Sequence, residues 1–419
     1  MKIKKLGMLL VVTLLVLSLL AGCASKDNKG SGTGTENVEL TYWDAAWNEP
    51  VTPGIIKEFE EQNPGIKIKT EFFPDNGMQD KYLVTLKNNS GPDVINIAAD
   101  WTAPFATAGG LLPLDDFIAK DKVDLEDFWP GALKTIQVKG KIYALPYRSE
   151  TLGIFYNKSL FEKAGIDTTK APETWEQVLD DAKKLTKDGT FGFGLVGKQP
   201  GNLSMQLITM IRTFGGDVLN EDYTKSKLSE PEAIAAAQFY VDLYKTHKVT
   251  PDSTMENDNA ASRNLFSTEK VAMFISGNYD IDPINKANPN IRFGTGMAPY
   301  SKERKTVLGG WNVAITASSK KQEAAWKFVN FIASPEISVK YSNTFSSRVS
   351  AASNEKYQDP LIKPFLEGLK YATPMPAIPQ MTQIRKIIHD NLQKAMIENV
   401  SVEEMMKATS QEVDKLLQK

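Results

Sequence analysis

The chain has 419 residues, of which 42% are hydrophobic, with 49 basic and 51 acidic residues, two histidines and one cysteine. This balance lacks the basic excess of nucleic-acid-binding domains, one cysteine excludes a disulfide framework, and two histidines far apart in sequence leave no zinc-protease motif. The length suggests two domains of about 100–200 residues each.

Residues 1–22 have the layout of a secretory signal. Lys2, Lys4 and Lys5 form a positive start, Leu6–Leu20 is almost continuously apolar, and Ala21, Gly22 and Cys23 are small. A plain N-terminal membrane anchor is the competing reading, but the apolar run is short for a bilayer helix, which needs about 20 residues. The sequence LAGC, ending at Cys23, resembles the lipobox of bacterial lipoproteins. That resemblance implies a Cys23 diacylated on sulfur, a new N-terminus there, and a protein held to the cell membrane from outside the cytoplasm. Two acyl chains anchor stably where one does not. Residues 23–37 then form a flexible Gly/Ser/Thr tether. Removing the three lysines at the start leaves 46 basic against 51 acidic residues over about 397 positions.

From the tether onward, strand and helix signals alternate. VELTYW (38–43) predicts a strand, and a helix around GIIKEFEEQ follows, stopped by Asn63-Pro64-Gly65. IKIKTEF (66–72) alternates with period two, a helix covers 78–88, PDVINIA (92–98) is an apolar strand, and a short helix lies near Phe105. KIYALPY and TLGIFYN (151–157) read as two further strands. Thr174…Gln177, Ser229…Glu232, Ser319…Gln322 and Ser401…Glu404 fit the capping-box pattern, and Ala325, Phe328, Val329 and Ile332 recur at helical spacing. Strands interleaved with helices predict an α/β fold with mostly parallel sheets, and the last sixty residues read as helix only.

GFGLVGKQ (192–199) fits both a dinucleotide loop and the start of a phosphate loop. Yet Phe191, Phe193 and Leu195 alternate with small residues, so the glycines fall inside a strand, not at its end. Gln199 has no hydroxyl for Mg²⁺, and the glycines are better explained by close approach of another backbone or a ligand. No nucleotide cofactor is expected. His247 and His389 read as lying on polar helix faces, ENDN near residue 256 lacks the Gly and Glu of a calcium loop, and no G-x-S-x-G is present. No catalytic residue, metal or other cofactor is expected, although a carboxylate pair of the glycosidase kind stays open.

Aromatic and polar residues at strand ends carry more. Trp47 and Asn48 follow the first strand, Asp100 and Trp101 the third; Tyr147, Arg148 and Glu150 sit at an expected crossing, Tyr279 ends a strand and Trp311 begins one. Open α/β sheets bind ligands outside the carboxyl ends of their strands. An aromatic face suits the C–H face of a sugar, and carboxylates take its hydroxyls. Trp175 and Trp326, inside amphipathic helices, read as core.

The fragments FEEQNPGIKI, GPDVINIAADW, GGLLPLDDF, GKIYALPYRSETLGIFYNKSLFEKAGI, PETWEQV, VAMFISGNYD, GGWNVAIT, AAWKFVNFIASPE and MPAIPQM, in this order over 38–419, resemble the carbohydrate-binding lipoproteins of bacterial ABC importers, the group that includes the maltodextrin-binding proteins. The resemblance implies a two-lobe clamshell of the periplasmic-binding-protein type (type II) with hinge crossings near 147–151, 298–300 and 343–348. One lobe would hold 38–147 plus 300–342, the other 152–297 plus 349–419 with the C-terminal helices. It implies a monomeric, non-enzymatic receptor that delivers a sugar or oligosaccharide to ABC-importer permease subunits. Asp100 and Glu150 would accept sugar hydroxyls, Tyr279 and Trp311 would be aromatic platforms, Trp47 and Asn48 would lie in a ligand-facing loop, and Arg348 would be a basic pocket position. Two positions depart: Arg385 stands where the maltodextrin group has Trp, and Trp101 where it has Arg. Arg148, Arg348 and Arg385 therefore either serve an anionic ligand, such as a uronide or an amino-acid glycoside, or pair with Asp100, Glu150 or Asp280. A surface glycoside-degrading enzyme and a receptor for a non-sugar solute are the rival functions.

Overall fold

The computed structural model describes residues 37–74, 77–398 and 400–418. The signal segment, Cys23 and nearly all of the tether lie outside the described residues.

Among the described residues, twelve strands run in chain order: β1 Val38–Ala45, β2 Ile66–Phe73, β3 Val94–Ala98, β4 Gln137–Val138, β5 Lys141–Ile142, β6 Leu145–Asn157, β7 Phe191–Gly194, β8 Val271–Gly277, β9 Phe293–Met297, β10 Thr306–Ile315, β11 Phe345–Ser346 and β12 Ala372–Pro374. The main sheet has the order β2-β1-β3-β10-β6-β8-β7, with β9 and β11 also on β6 and β12 on β10. β1 pairs in parallel with β2 and β3, and β7 with β8. The centre is antiparallel: β10 against β3 and β6, and β6 against β8 and β9. The sheet is thus mixed, not mostly parallel. Apolar runs reveal burial on both faces but not strand direction.

β6 explains this. KIYALPY and TLGIFYN were expected to form separate strands, but 145–157 is one strand of 13 residues. Its first part pairs with β10, and its second part, from Leu152, with β8 and β9. It runs from one apolar core into another. One core gathers Leu40, Tyr42, Phe59, Tyr82, Phe105, Trp326, Phe328 and Val329. A second gathers Ile154, Trp175, Leu207, Tyr240, Met381, Ile384 and Leu392. A smaller third surrounds Phe155, Phe266 and Phe274.

Local signals hold where side chain and backbone can satisfy each other nearby. Thr174 and Gln177 form a complete capping box, and Ser401 caps the last helix through the Glu404 N–H at 3.2 Å. Two caps fail. Pro231 opens its helix without an N–H to satisfy, and Glu230, not Ser229, is the cap. Ser319 instead donates to Asp93 Oδ1 at 2.7 Å. The final sixty residues also contain β12, parallel to β10, so they are not helix only.

The glycine-rich stretch is strand β7 and the turn after it. Any Cβ on Gly192 would collide with the backbone of Ala182 in the helix Trp175–Leu185, so this glycine permits helix–strand contact. The next turn is held from the helix Met381–Ile397: Gln393 Nε2 donates to Gly197 O at 2.6 Å, and His389 Nε2 faces Gly197 O and Lys198 O at 3.2 and 3.1 Å. His389 is therefore a buried clasp, not a residue of a polar face. Trp175 and Trp326 are core, with Nε1 donating to Thr213 Oγ1 at 2.9 Å and Asp121 Oδ2 at 2.7 Å.

Candidate functional site

Two short 3-10 turns and one irregular strand build the site. β1 runs out into the turn Ala46–Asn48, and β3 into the turn Ala99–Trp101. These turns bring Trp47, Asp100 and Trp101 to the carboxyl ends of neighbouring parallel strands. β10 supplies Gly309, Gly310 and Trp311 opposite Glu150, Ser149 and Arg148 of β6, and the register shifts between Trp311 and Asn312. Gly310 has φ +146°, and a Cβ there would strike the Arg148 carbonyl; a side chain at 309 would strike Glu150. The glycine pair thus lets β10 pass close to β6 while Trp311 emerges at the irregularity.

The three tryptophans interlock. Trp311 stands edge-on to Trp47 at 5.0 Å and to Trp101 at 5.6 Å between ring centroids. The Arg148 guanidinium lies 4.5 Å from the centre of the Trp47 ring, and its Nε and Nη2 donate to Glu150 Oε2 at 3.0 and 2.6 Å. Across from them, Arg385 Nη1 donates to Asp100 Oδ2. Arg385 Nε also donates to Ser204 Oγ at 3.0 Å and Nη2 to Gly201 O at 2.8 Å.

Between these groups lies a cavity of about 600 Å³, within the range of small-molecule sites. Trp101, Trp311, Glu150 and Asp100 line one side; Gln199, Gly201, Asn202, Thr382 and Arg385 line the other. Gln79 reaches over from the first side and donates from Nε2 to Thr382 Oγ1 at 2.8 Å. Arg148 and Arg385 are thus paired with Glu150 and Asp100, as one of the two alternatives had it; Arg348 pairs with none of the named carboxylates, and Asp280 holds Arg263 at 2.9 Å instead. The amides of Gln199 and Asn202 and the hydroxyl of Thr382 also line the cavity, with Asp80 and Lys386 exposed at its edge. Among the described residues, no group of three or more His, Cys, Asp or Glu could hold a metal ion.

Four of the eight expected binding residues line this cavity: Asp100, Glu150, Trp311 and Arg385. Trp47 does not, but packs against Trp311. Asn48 is buried; its Nδ2 donates to Asp44 Oδ1 at 2.8 Å and to Tyr147 OH at 3.3 Å, inside a polar network that also takes in Thr52, Asn96 and Tyr341. It supports the loop instead of facing a ligand. Arg348 is elsewhere: Nε donates to Ala333 O and Nη1 to Asp124 O, both at 2.8 Å, with Phe128 3.7 Å beneath the guanidinium. Its position in sequence says nothing about which side of a buried crossing it faces. Tyr279 also does not line the cavity. Its ring fills the space that a Cβ on Gly277 would take, and burial, with Asp280 and Glu150 nearby, pushes its phenol well above the usual range, so it stays neutral.

Trp101 and Arg148 stood at strand ends in the sequence but were assigned no definite ligand contact, Arg148 being left between an anionic ligand and a carboxylate partner. Both had a signal: Trp101 adjoins Asp100, and Arg148 shares a strand face with Glu150 two residues on. Gln79 and Thr382 had none.

Residues 38–338 match the family described as bacterial extracellular solute-binding protein. The fold is similar to an ABC-transporter solute-binding protein from Thermotoga lettingae bound with alpha-D-tagatose, at 28% identity and TM-score 0.84, covering 91% of this chain and all of that one. It is also similar to the maltose-bound MalE3 of T. maritima, at 26% identity and TM-score 0.81, covering 90% and 100%. A maltotriose-binding protein of Pyrococcus abyssi is 26% identical over 345 residues, 79% of this chain and 71% of that protein. No helix among the described residues is long and apolar enough to cross a membrane.

Proposed function

This chain belongs to the bacterial extracellular solute-binding proteins, and we propose that within that family it captures a neutral sugar or short oligosaccharide and delivers it to the permease of an ABC importer. The observation that carries this reading is the cavity itself. Trp101 and Trp311 offer rings to sugar C–H faces, the surrounding amides and hydroxyls suit ligand hydroxyls, and Glu150 and Asp100 are already neutralised by Arg148 and Arg385. A carboxylate ligand would have to take an arginine from its partner and leave that partner's charge unpaired, which costs several kcal/mol in a closing cleft. The neutral class is therefore favoured over a uronide or an amino-acid glycoside. Relatives that bind tagatose, maltose and maltotriose support the same class.

The role is capture without turnover. The two lobes, 38–147 plus 300–342 and 152–297 plus 349–419, would close on the ligand about crossings near β6, the loop before β10, and β11, and ligand would favour closure by touching both. The chain would act outside the cytoplasm as a monomer, with its signal segment removed and Cys23 acylated. Titration calorimetry of the purified chain with neutral mono- to trisaccharides and with uronic counterparts tests the reading. Micromolar heats with a neutral sugar and none with its uronic form are expected. Binding confined to uronides would overturn it, as would release of a shortened sugar.

A further inference from the structure

The helix Met381–Ile397 is rooted in one core through Met381, Ile384, Ile388 and Leu392. Asp100 and Gln79 belong to elements rooted in the other, through Ile97, Tyr82 and Phe105. Two side-chain bonds join these elements over the cavity: Arg385 to Asp100, and Gln79 to Thr382. Both are made entirely by the chain's own atoms.

Three features distinguish the Arg385–Asp100 pair from an ordinary surface pair. Its side chains keep only 15% and 12% exposure, so salt and water screen it less than a pair on the rim. Two of the three guanidinium nitrogens are tied to Ser204 and Gly201 on the helix's own side, which fixes the third in its aim across the gap. The pair is also less exposed than Asp80, Gln383 and Lys386, which line the same cavity. Such a bond exists only when the two sides are close.

We infer that Asp100–Arg385, with Gln79–Thr382 beside it, is a built-in latch over the mouth of the cavity. The closed arrangement is then held partly by the protein itself, whatever the cavity contains. Arg385 is a positioning residue: it raises ligand affinity by increasing the population of the closed form, acting through Asp100. The inference rests on the cavity being the ligand site, but its test does not require any ligand to bind. An equilibrium between two arrangements shifts only by differential contacts, and these bonds are differential contacts supplied in advance.

The experiment measures the distance between spin labels on cysteines placed at Val84 and Ile397, two exposed positions on the opposed elements, in the full chain carrying Cys23→Ser and without sugar. Wild type should give a dominant short distance. Arg385→Gln and Asp100→Asn should each lower the ratio of short to long by about tenfold, Thr382→Val by less, and Arg385→Lys, which keeps the charge but loses the ties to Ser204 and Gly201, should recover only part of the short fraction. A cooperative melt close to wild type verifies that each variant is folded. Identical distributions in wild type, Arg385→Gln and Asp100→Asn would overturn the latch. Because no sugar is present, that result would leave the sugar reading standing, and a chain that binds no sugar could still show the latch.

Discussion

The two sides of the cavity are made of different material. On one side, strands and 3-10 turns carry Trp47 and Trp101 each against Trp311, with Arg148 and Glu150 locked beside them. On the other, two helix starts present Gln199, Asn202, Thr382 and Arg385. Interlocked rings on sheet ends cannot readjust one at a time. The amides on the helix starts are held more lightly, Asn202 Nδ2 donating to Gln199 Oε1 at 2.9 Å. The aromatic side should therefore supply most of the binding free energy, and the polar side should tune which hydroxyls are accepted.

The largest effect that would break this contrast is at Trp311. Trp311→Ala should weaken binding of a neutral sugar by about 2 kcal/mol or more, in the range of interface anchors. Calorimetry that found Asn202→Ala the more costly of the two would invert the assignment. Trp47→Ala, which removes support but no cavity wall, should cost about 1 kcal/mol, the worth of one aromatic pair, and circular dichroism should show the fold intact. Asn202→Ala should cost a single neutral hydrogen bond, about 0.5–1.5 kcal/mol, and only for sugars whose matching hydroxyl is present; an equal loss across deoxy-sugar analogues would mean that Asn202 does not read a hydroxyl. Lys198→Ala should be near neutral for sugar affinity, and millimolar ATP should give no heat with either protein.

A last, small effect concerns what lies under the aromatic side. Asp93 is buried, which by itself would raise its pKa. The Thr41 N–H, the Ser319 hydroxyl and Lys321 outweigh that and hold the carboxyl below its usual range. A carboxyl depressed in the folded state contributes stability above its unfolded pKa of about 4, and that contribution is lost as pH falls through the folded value. Asp93→Asn should therefore be less stable than wild type at pH 7, and the difference should shrink towards pH 3 in melts across that range. A gap that stayed constant with pH would assign the bond to geometry instead of charge.

Element identity was legible from the residues because it depends on neighbours in sequence. Period-two runs gave β1 and β2, Asn63-Pro64 ended a helix, and Thr174 with Gln177 capped one. Asp100 and Trp311 were also legible, since a strand end followed by Asp-Trp or preceded by Gly-Gly is a local pattern, whereas Arg385 entered only through the resemblance to the maltodextrin group. Three things needed the tertiary structure. The mixed sheet follows from β6 crossing between two cores, and strand direction leaves no mark on an apolar run. The burial of Asn48 and Arg348 depends on what packs against each from residues up to about three hundred positions away, such as Tyr341 against Asn48. The partners of Arg385 lie 181 and 285 residues distant in sequence. Local order is written in spacing, but pairing across a cleft is decided only when both sides are folded and brought within hydrogen-bond reach.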